Sequence, residues 1–118
     1  MIDDSRDTTS SFAMLLERQG HVVRTLNDAR TAVEVVHKFS PDIILLDLAM
    51  PNLDGYEVAR RIRQEPGFET ARIVAISGFA DESHKSQAKD AGVDRYLVKP
   101  INFDELDGIF SELGPPPP

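Results

Sequence analysis

Residues 42–47 read Asp-Ile-Ile-Leu-Leu-Asp, and the stretch Leu-Ala-Met-Pro-Asn-Leu-Asp-Gly follows them and ends at Gly55. A short apolar run that contains β-branched residues is typical of a strand. Residues 43–46 are apolar on both faces, as expected of an interior strand of a parallel sheet. This stretch therefore predicts a buried parallel strand that ends in the carboxylate of Asp47.

Three further apolar runs, at 21–25, 72–76 and 95–98, also predict strands. Stretches with apolar residues spaced near 3.6 separate the runs and predict helices. Their apolar positions are Phe12, Leu15 and Leu16; Ala29, Val33 and Val36; Val58, Ala59 and Ile62; Ala88 and Ala91; and Phe103, Leu106, Ile109, Phe110 and Leu113. Alternating strands and helices joined by right-handed crossovers predict an α/β fold, with a parallel sheet covered by helices on both faces.

Residues that favour helix caps mark the predicted helix ends. Glycine just after a helix can adopt a left-handed conformation, and Asp or Asn before a helix can accept hydrogen bonds from its first turn. Such residues are Gly20 and Gly92 after helices, Asp28, Asp54 and Asp81 before helices, and Asn102, which is expected to form a capping box with Glu105.

The composition is that of one compact protein domain and excludes several functions. The chain has 118 residues, no cysteine and a net charge of −7. An acidic surface disfavours direct nucleic-acid binding, and without cysteine there is no disulfide or zinc-thiolate site. No apolar run approaches the ~20 residues that span a bilayer, and the start of the chain lacks the basic and apolar segments of a secretory signal. We expect a cytoplasmic protein without membrane insertion.

The first strand of the predicted sheet is too short. Only Met1 and Ile2 precede Asp3, although this strand would be central and buried. We therefore expect that further residues precede Met1. We assign the domain to residues 1–114, and we interpret Pro115–Pro118 as a proline tail or linker stub because proline cannot continue a helix.

Three carboxylates are expected to meet at one edge of the sheet. Asp3 and Asp4 end the short first strand, and Asp47 ends the strand at 43–46. Two unit charges ~4 Å apart repel by ~4 kcal/mol at an effective dielectric near 20, so such a group needs a cation, and oxygen ligands suggest Mg²⁺. Alternatively, Asp3 and Asp4 are solvated turn residues and Asp47 caps the following loop. These residues alone favour neither interpretation.

Two further strand ends point to phosphoryl chemistry. Ser77 ends the strand at 72–76, and Lys99-Pro100 follows the strand at 95–98. Each is ordinary alone, as a turn residue or a surface charge. Together, Mg²⁺, an ammonium and a hydroxyl around one carboxylate stabilise the charge of a transferring phosphoryl group. Asp47 would then form an aspartyl phosphate.

These elements resemble the receiver domains of two-component response regulators of the chemotaxis-regulator type. The resemblance rests on Asp3-Asp4, residues 45–55 around Asp47, Val74-Ala75-Ile76-Ser77-Gly78, and Tyr96-Leu97-Val98-Lys99-Pro100. It covers nearly the whole chain, and the spacings of thirty residues from Asp47 to Ser77 and twenty-two from Ser77 to Lys99 are similar to the family's. It implies a flavodoxin-like (βα)5 fold, a three-layer α/β/α sandwich whose five-stranded sheet has the order 2-1-3-4-5.

The resemblance also implies roles for these residues. Asp47 would accept phosphoryl from a sensor histidine kinase or a histidine phosphotransfer protein, and Lys99 would face the phosphoryl group from a cis bond to Pro100. Asp4 would bind Mg²⁺ directly and Asp3 mainly through water, with Asp47 and the carbonyl of Ala49 as further ligands.

A conformational switch is the other implication of the resemblance. Ser77 would move to the phosphoryl oxygen and Tyr96 would turn inward behind it. This coupling would reach the face formed by the fourth helix, the fifth strand and the fifth helix, where a downstream protein or a fused domain would bind. Phosphorylation could also promote a dimer.

Two positions differ from family members that carry polar groups for hydrolysis. Ala49 and Phe79 stand two residues beyond Asp47 and Ser77, and neither side chain can orient water. We hypothesise slow dephosphorylation, governed by how well Phe79 shields Asp47. The histidines and the arginines on the third helix fit ordinary surface roles: His21, His37 and His84 as solvated or capping residues, and Arg60, Arg61 and Arg63 as a solvated face.

Two other functional classes remain possible. A constitutive binding module with an unphosphorylated acidic pocket would have the same fold. A phosphatase of the aspartyl-phosphate type would need a second aspartate where Ala49 stands. The expected protein is a switch and not a turnover enzyme. The sequence leaves open whether it is a single-domain regulator or part of a hybrid kinase or other longer protein.

Overall fold

The computed structural model describes residues 1–2, 6–27, 31–48, 54–68 and 71–113. This part of the chain forms five helices and three strands. In chain order they are α1 (Arg6–Arg18), α2 (Ala32–Phe39), β1 (Ile43–Asp47), α3 (Gly55–Gln64), β2 (Arg72–Ser77), α4 (Glu82–Asp90), β3 (Arg95–Val98) and α5 (Phe103–Leu113). The strands predicted at 43–46, 72–76 and 95–98 are confirmed.

The three strands form a parallel sheet in the order β1-β2-β3. Asp47 pairs with Ile76, and Ser77 pairs with Val98. This register brings the carboxyl ends of all three strands to one edge of the sheet. The polar residues at the strand ends therefore become neighbours.

Ile2 extends the sheet beyond β1. It forms parallel bridges to Leu26 on one side and to Leu46 on the other. Across the sheet, the order is Leu26, Ile2, β1, β2 and β3. Ile2 stands for the first predicted strand, Leu26 for the second, and β1, β2 and β3 for the third, fourth and fifth. This is the predicted order 2-1-3-4-5.

The strand predicted at 21–25 is wrong. Only Leu26 pairs with the sheet, and residues 21–25 have no regular structure. The physical reason lies in the adjacent strand position of the sheet, beside residues 21–25. A strand needs a partner along its length, and Met1 and Ile2 are the two residues that precede Asp3 there.

Helices cover both faces of the sheet and divide the core into two layers. One layer joins alternate strand residues such as Leu46 and Ile73 to α2, α3 and Ala88 of α4. The other joins Leu45 and Ile76 to α1 and α5. Since each fully buried Leu or Ile contributes about 1.5–3 kcal/mol, the two layers supply most of the driving force for the fold.

The cap predictions are confirmed at three helices. The side chains of Asp54, Asp81 and Asn102 each accept a hydrogen bond from the backbone of the first turn that follows, at 2.9, 3.2 and 2.9 Å. Gly20 and Gly92 have φ values of +94° and +97° after their helices. Asp28 lies outside the described residues, and α2 begins at Ala32.

Two side-chain predictions are wrong. Leu15 was expected on the buried stripe of α1, yet it is 41% exposed, while Leu16 beside it is buried. Arg63 was expected on a solvated face, yet it is half-buried. Its guanidinium donates hydrogen bonds to Gly92 O at 2.6 Å and to Phe68 O and Ala71 O, and it pairs with Asp94 at 3.0 Å.

Candidate functional site

Asp47 lies at the carboxyl end of β1 and is 1% exposed. Its backbone N–H donates to Ile2 O at 2.9 Å, which fixes the strand end against the first segment of the chain. A buried carboxylate needs a partner because burial of a charge is costly. Lys99 Nζ donates to Asp47 Oδ2 at 3.0 Å, so the two strand ends meet as the sequence predicts.

Lys99 reaches Asp47 from the loop after β3. Its backbone N–H donates to Ser77 O at 2.8 Å, which continues the ladder between β2 and β3 by one residue. The Lys99-Pro100 peptide bond is cis, as the resemblance implies. The Lys99 side chain is 41% exposed, so its ammonium lies at the mouth of the site while the carboxylate lies inside.

Ser77 is the second buried polar residue of the site, with 1% exposure. Its Oγ accepts a hydrogen bond of 3.1 Å from the backbone N–H of Phe79. The hydroxyl proton remains a donor, since Oγ acts as the acceptor in that bond. Ser77, Asp47 and Lys99 therefore lie on three neighbouring strand ends at one edge of the sheet.

Tyr96 lies on β3 behind this edge and is half-buried. Its hydroxyl donates to the carbonyl of Phe79 at 2.7 Å. The Phe79 side chain is 51% exposed, and its ring stacks on His84 with centroids 4.2 Å apart and an interplanar angle of 5°. The neighbour of the Phe79 ring is therefore His84, which the sequence did not predict.

The carboxylates of Asp54 and Asp81 and the phenols of Tyr56 and Tyr96 form a cluster near the segment between β2 and α4. His84 pairs with Asp81 at 2.6 Å, and this hydrogen bond lowers the pKa of the Asp81 carboxyl. Burial raises the pKa of Tyr56, and the nearby Tyr96, Asp54 and Asp81 raise it further.

Gly55 allows α3 to begin directly against the end of β1. A Cβ at this position would lie 2.5 Å from Leu48 Cα and 2.9 Å from Asp47 O, which is closer than real contacts allow. The sequence showed Gly55 only as part of the motif after Asp47. The structure shows that the absence of a side chain there lets the helix pack against the site.

The remaining predicted metal ligands, Asp3, Asp4 and Ala49, lie outside the described residues. Ile2, the residue before Asp3, donates to Leu45 O at 2.7 Å and accepts from Asp47 N. Carboxylate and carbonyl oxygens are the donors that Mg²⁺ prefers, so the residue types fit this ion. Within the described residues, no three His, Cys, Asp or Glu side chains group as a metal site, and no helix has the length and apolar character needed to cross a bilayer.

Comparisons with known proteins agree with this geometry. The sequence profile of the response regulator receiver domain matches residues 1–110. The transcriptional regulatory protein TcrA of Mycobacterium tuberculosis is 32% identical over 120 residues, which cover 99% of this chain and 47% of TcrA. The chain thus spans about half the length of that regulator.

Solved structures show the same likeness. The chemotaxis protein CheY4 of Vibrio cholerae superposes with a TM-score of 0.89 at 26% identity, covering 95% of this chain and 93% of CheY4. A response regulator of Burkholderia pseudomallei with a phosphorylated aspartic acid, a calcium ion and citrate superposes with a TM-score of 0.82 at 28% identity, covering 91% of this chain and 62% of the other. The chain therefore belongs to the receiver domain family of two-component response regulators.

Proposed function

We propose that Asp47 is the phosphoryl acceptor of this receiver domain. The observation that carries the proposal is a carboxylate that is 1% exposed at a strand end and faces an ammonium at 3.0 Å. A buried carboxylate at a strand end is a candidate nucleophile, and the adjacent ammonium balances its negative charge.

The reaction transfers a phosphoryl group from a phosphohistidine of a sensor histidine kinase or a histidine phosphotransfer protein. A carboxylate oxygen of Asp47 forms the new P–O bond. The P–N bond of the phosphohistidine breaks, and its electron pair returns to the imidazole, which takes up a proton from solvent. Lys99 offsets negative charge on the phosphoryl oxygens during the transfer.

Asp3, Asp4 and Asp47 would hold Mg²⁺ together with the carbonyl oxygen of Ala49. When bound, the ion would offset negative charge on the carboxylates and on the incoming phosphoryl group. The similar response regulator of Burkholderia pseudomallei was solved with a phosphorylated aspartic acid and a calcium ion, which is compatible with this proposal.

Ser77 and Tyr96 would convert the covalent change into a conformational one. The Ser77 hydroxyl can donate to a phosphoryl oxygen, and the bond from Phe79 N–H to Ser77 Oγ ties that movement to the following turn. Tyr96 holds the carbonyl of the same Phe79. The change would reach the face of α4, β3 and α5, where a downstream protein or a fused domain would bind. Phosphorylation would also favour a dimer.

The chain would therefore act as a cytoplasmic switch that does not insert into membranes or bind nucleic acid itself. Its catalysis would be limited to its own phosphorylation and slow dephosphorylation. A change in partner affinity through two conformations is the output of such a device.

The test is incubation with Mg²⁺ and acetyl phosphate, followed by intact-mass measurement. We expect the mass gain of one phosphoryl group, its loss in Asp47→Asn, and its retention in Asp42→Asn, which changes an exposed carboxylate at the other end of the same strand. An unchanged gain in Asp47→Asn would contradict the proposed acceptor. No gain in the wild-type chain would favour the constitutive binding module.

A further inference from the structure

Residues 99–102 form the short segment that joins β3 to α5. The first of them, Lys99, donates from its Nζ to Asp47 Oδ2 at 3.0 Å. A lysine side chain is long and flexible, so the direction of its ammonium depends on how firmly its backbone is held. The supports of this segment therefore decide how much of the time the ammonium faces Asp47.

On its amino side, the segment is held by β2. The backbone N–H of Lys99 donates to Ser77 O at 2.8 Å. Pro100 follows and has no N–H to donate, so it cannot extend the ladder with β2. The support on the carboxyl side has to come from residues further along the chain.

Asn102 supplies a fixed point on the carboxyl side. Its Oδ1 accepts hydrogen bonds from the backbone N–H groups of Asp104 at 2.9 Å and Glu105 at 3.2 Å. Its backbone carbonyl accepts from Leu106 N–H at 3.1 Å. The Leu106 side chain is fully buried in the core layer that joins the sheet to α1 and α5. Asn102 is thus fixed to the first turn of α5, and that turn is fixed to the core.

Two residues, Pro100 and Ile101, separate Lys99 from this fixed point. The ring of Pro100 restricts its φ angle, and Ile101 is half-buried against the same core layer as Leu106. The link is therefore short and stiff. A displacement at Asn102 is passed on to the backbone of Lys99.

The side chain of Asn102 is exposed. In the part of the chain that the structure describes, its hydrogen bonds all go to the first turn of α5. It contacts neither the carboxylate of Asp47 nor the hydroxyl of Ser77 by a hydrogen bond. Any effect of this side chain on the phosphoryl site has to pass through the backbone.

We propose that Asn102 is a positioning residue for phosphoryl transfer, because its cap fixes the carboxyl side of the segment that directs Lys99 toward Asp47. The inference rests on the proposed function and adds a residue to it. Without the cap, the first turn of α5 frays and the segment gains freedom. The ammonium of Lys99 then spends less time in the position from which it offsets charge on the phosphoryl group.

The first test measures phosphorylation of the full chain by acetyl phosphate with Mg²⁺, using intact mass. We expect Asn102→Ala to be slower than wild type by about three- to tenfold. Asn102→Ser keeps a capping oxygen and should recover most of the rate. Ser111→Gly weakens the other end of α5 and should keep the wild-type rate. A rate in Asn102→Ser as low as that in Asn102→Ala would overturn the role of the cap.

The second test repeats the substitution in a chain that lacks the ammonium. If Asn102 acts through Lys99, Asn102→Ala should cause no further loss in the Lys99→Ala background. A general weakening of the fold would lower the rate by the same factor in both backgrounds. Such an equal factor would overturn the positioning role.

Amide exchange at Lys99, measured without Mg²⁺ or phosphodonor, tests the support itself. We expect exchange to be faster by about threefold or more in Asn102→Ala, but not in Ser111→Gly. Unchanged exchange would refute the support. A wild-type rate of phosphorylation in Asn102→Ala beside a slow Lys99→Ala would refute the role of Asn102 and leave Asp47 as the acceptor. Absence of any mass gain in the wild-type chain would instead overturn the proposed function, and the positioning role with it.

Discussion

The hydroxyl of Tyr96 donates a hydrogen bond of 2.7 Å to the backbone carbonyl of Phe79. The N–H of the same residue donates to Ser77 Oγ at 3.1 Å. The backbone of Phe79 thus lies between the two side chains proposed to switch. A change in the partner of Ser77 can reach Tyr96 through this single residue.

Tyr96→Phe is expected to lower the free energy of unfolding by about 1 kcal/mol, because it leaves the Phe79 carbonyl without its phenolic donor. Urea unfolding measures this loss, and amide exchange at Phe79 should become faster. Tyr56→Phe removes a hydroxyl from a neighbouring tyrosine and is the matched control. An effect of Tyr56→Phe as large as that of Tyr96→Phe would show that the Phe79 bond contributes nothing specific.

Lys99→Ala should reduce the rate of phosphorylation by acetyl phosphate on the order of 100-fold, since one preorganised donor to a developing charge is lost. Intact-mass kinetics with Mg²⁺ gives the rate. Lys99→Arg keeps the positive charge but changes its geometry, and we expect a partial recovery. Rates equal to that of wild type in Lys99→Ala would exclude Lys99 from the transfer.

Arg63→Ala is expected to lower the free energy of unfolding by about 2–4 kcal/mol, because the partly buried carbonyls of Phe68, Ala71 and Gly92 lose hydrogen bonds from a charged donor. Arg61→Ala changes an exposed arginine on the same helix and should stay within about 0.5 kcal/mol of wild type. Thermal or urea unfolding of both variants tests the difference. Equal effects would mean that Arg63 behaves as the solvated residue that its sequence context suggests.

The positions that the sequence predicted correctly follow from one rule. In a parallel sheet the carboxyl ends of neighbouring strands share an edge, so Asp47, Ser77 and Lys99 were expected to meet before any distance was known. The apolar runs identified the strands, and the order of the strands in the sheet brought their carboxyl ends side by side.

Arg63 shows what the sequence could not provide. Its partners Gly92 and Asp94 lie 29 and 31 residues away, and no local pattern records such contacts. The segment at 21–25 illustrates the same limit for strands. Its residues have a strand pattern, but pairing depends on a neighbour that is distant in sequence.

Stability should rise with pH between about 6 and 8 because of the Met1 amino group. Its pKa is about 6 in the folded chain and 8.0 in its ordinary state, so the unfolded chain binds more protons in this window. The free energy of unfolding rises by up to about 2–3 kcal/mol. The rise is complete above the pKa of the amino group in the unfolded chain and is lost below its pKa in the folded chain. Urea unfolding across this range measures it. Acetylation of the amino group should remove this contribution, and an unchanged slope after acetylation would assign it to other groups.

Phe79→Glu should shorten the lifetime of the phosphorylated chain, because a carboxylate can orient water near Asp47 and the phenyl ring cannot. Phosphate release after removal of phosphodonor measures the lifetime, with Phe79→Leu as an apolar control. The stack on His84 separates two explanations. If the ring acts as a shield, His84→Ala should also shorten the lifetime by freeing the ring, whereas Phe79→Leu should have a smaller effect than Phe79→Glu. A wild-type lifetime no longer than that of Phe79→Glu would refute the shielding hypothesis.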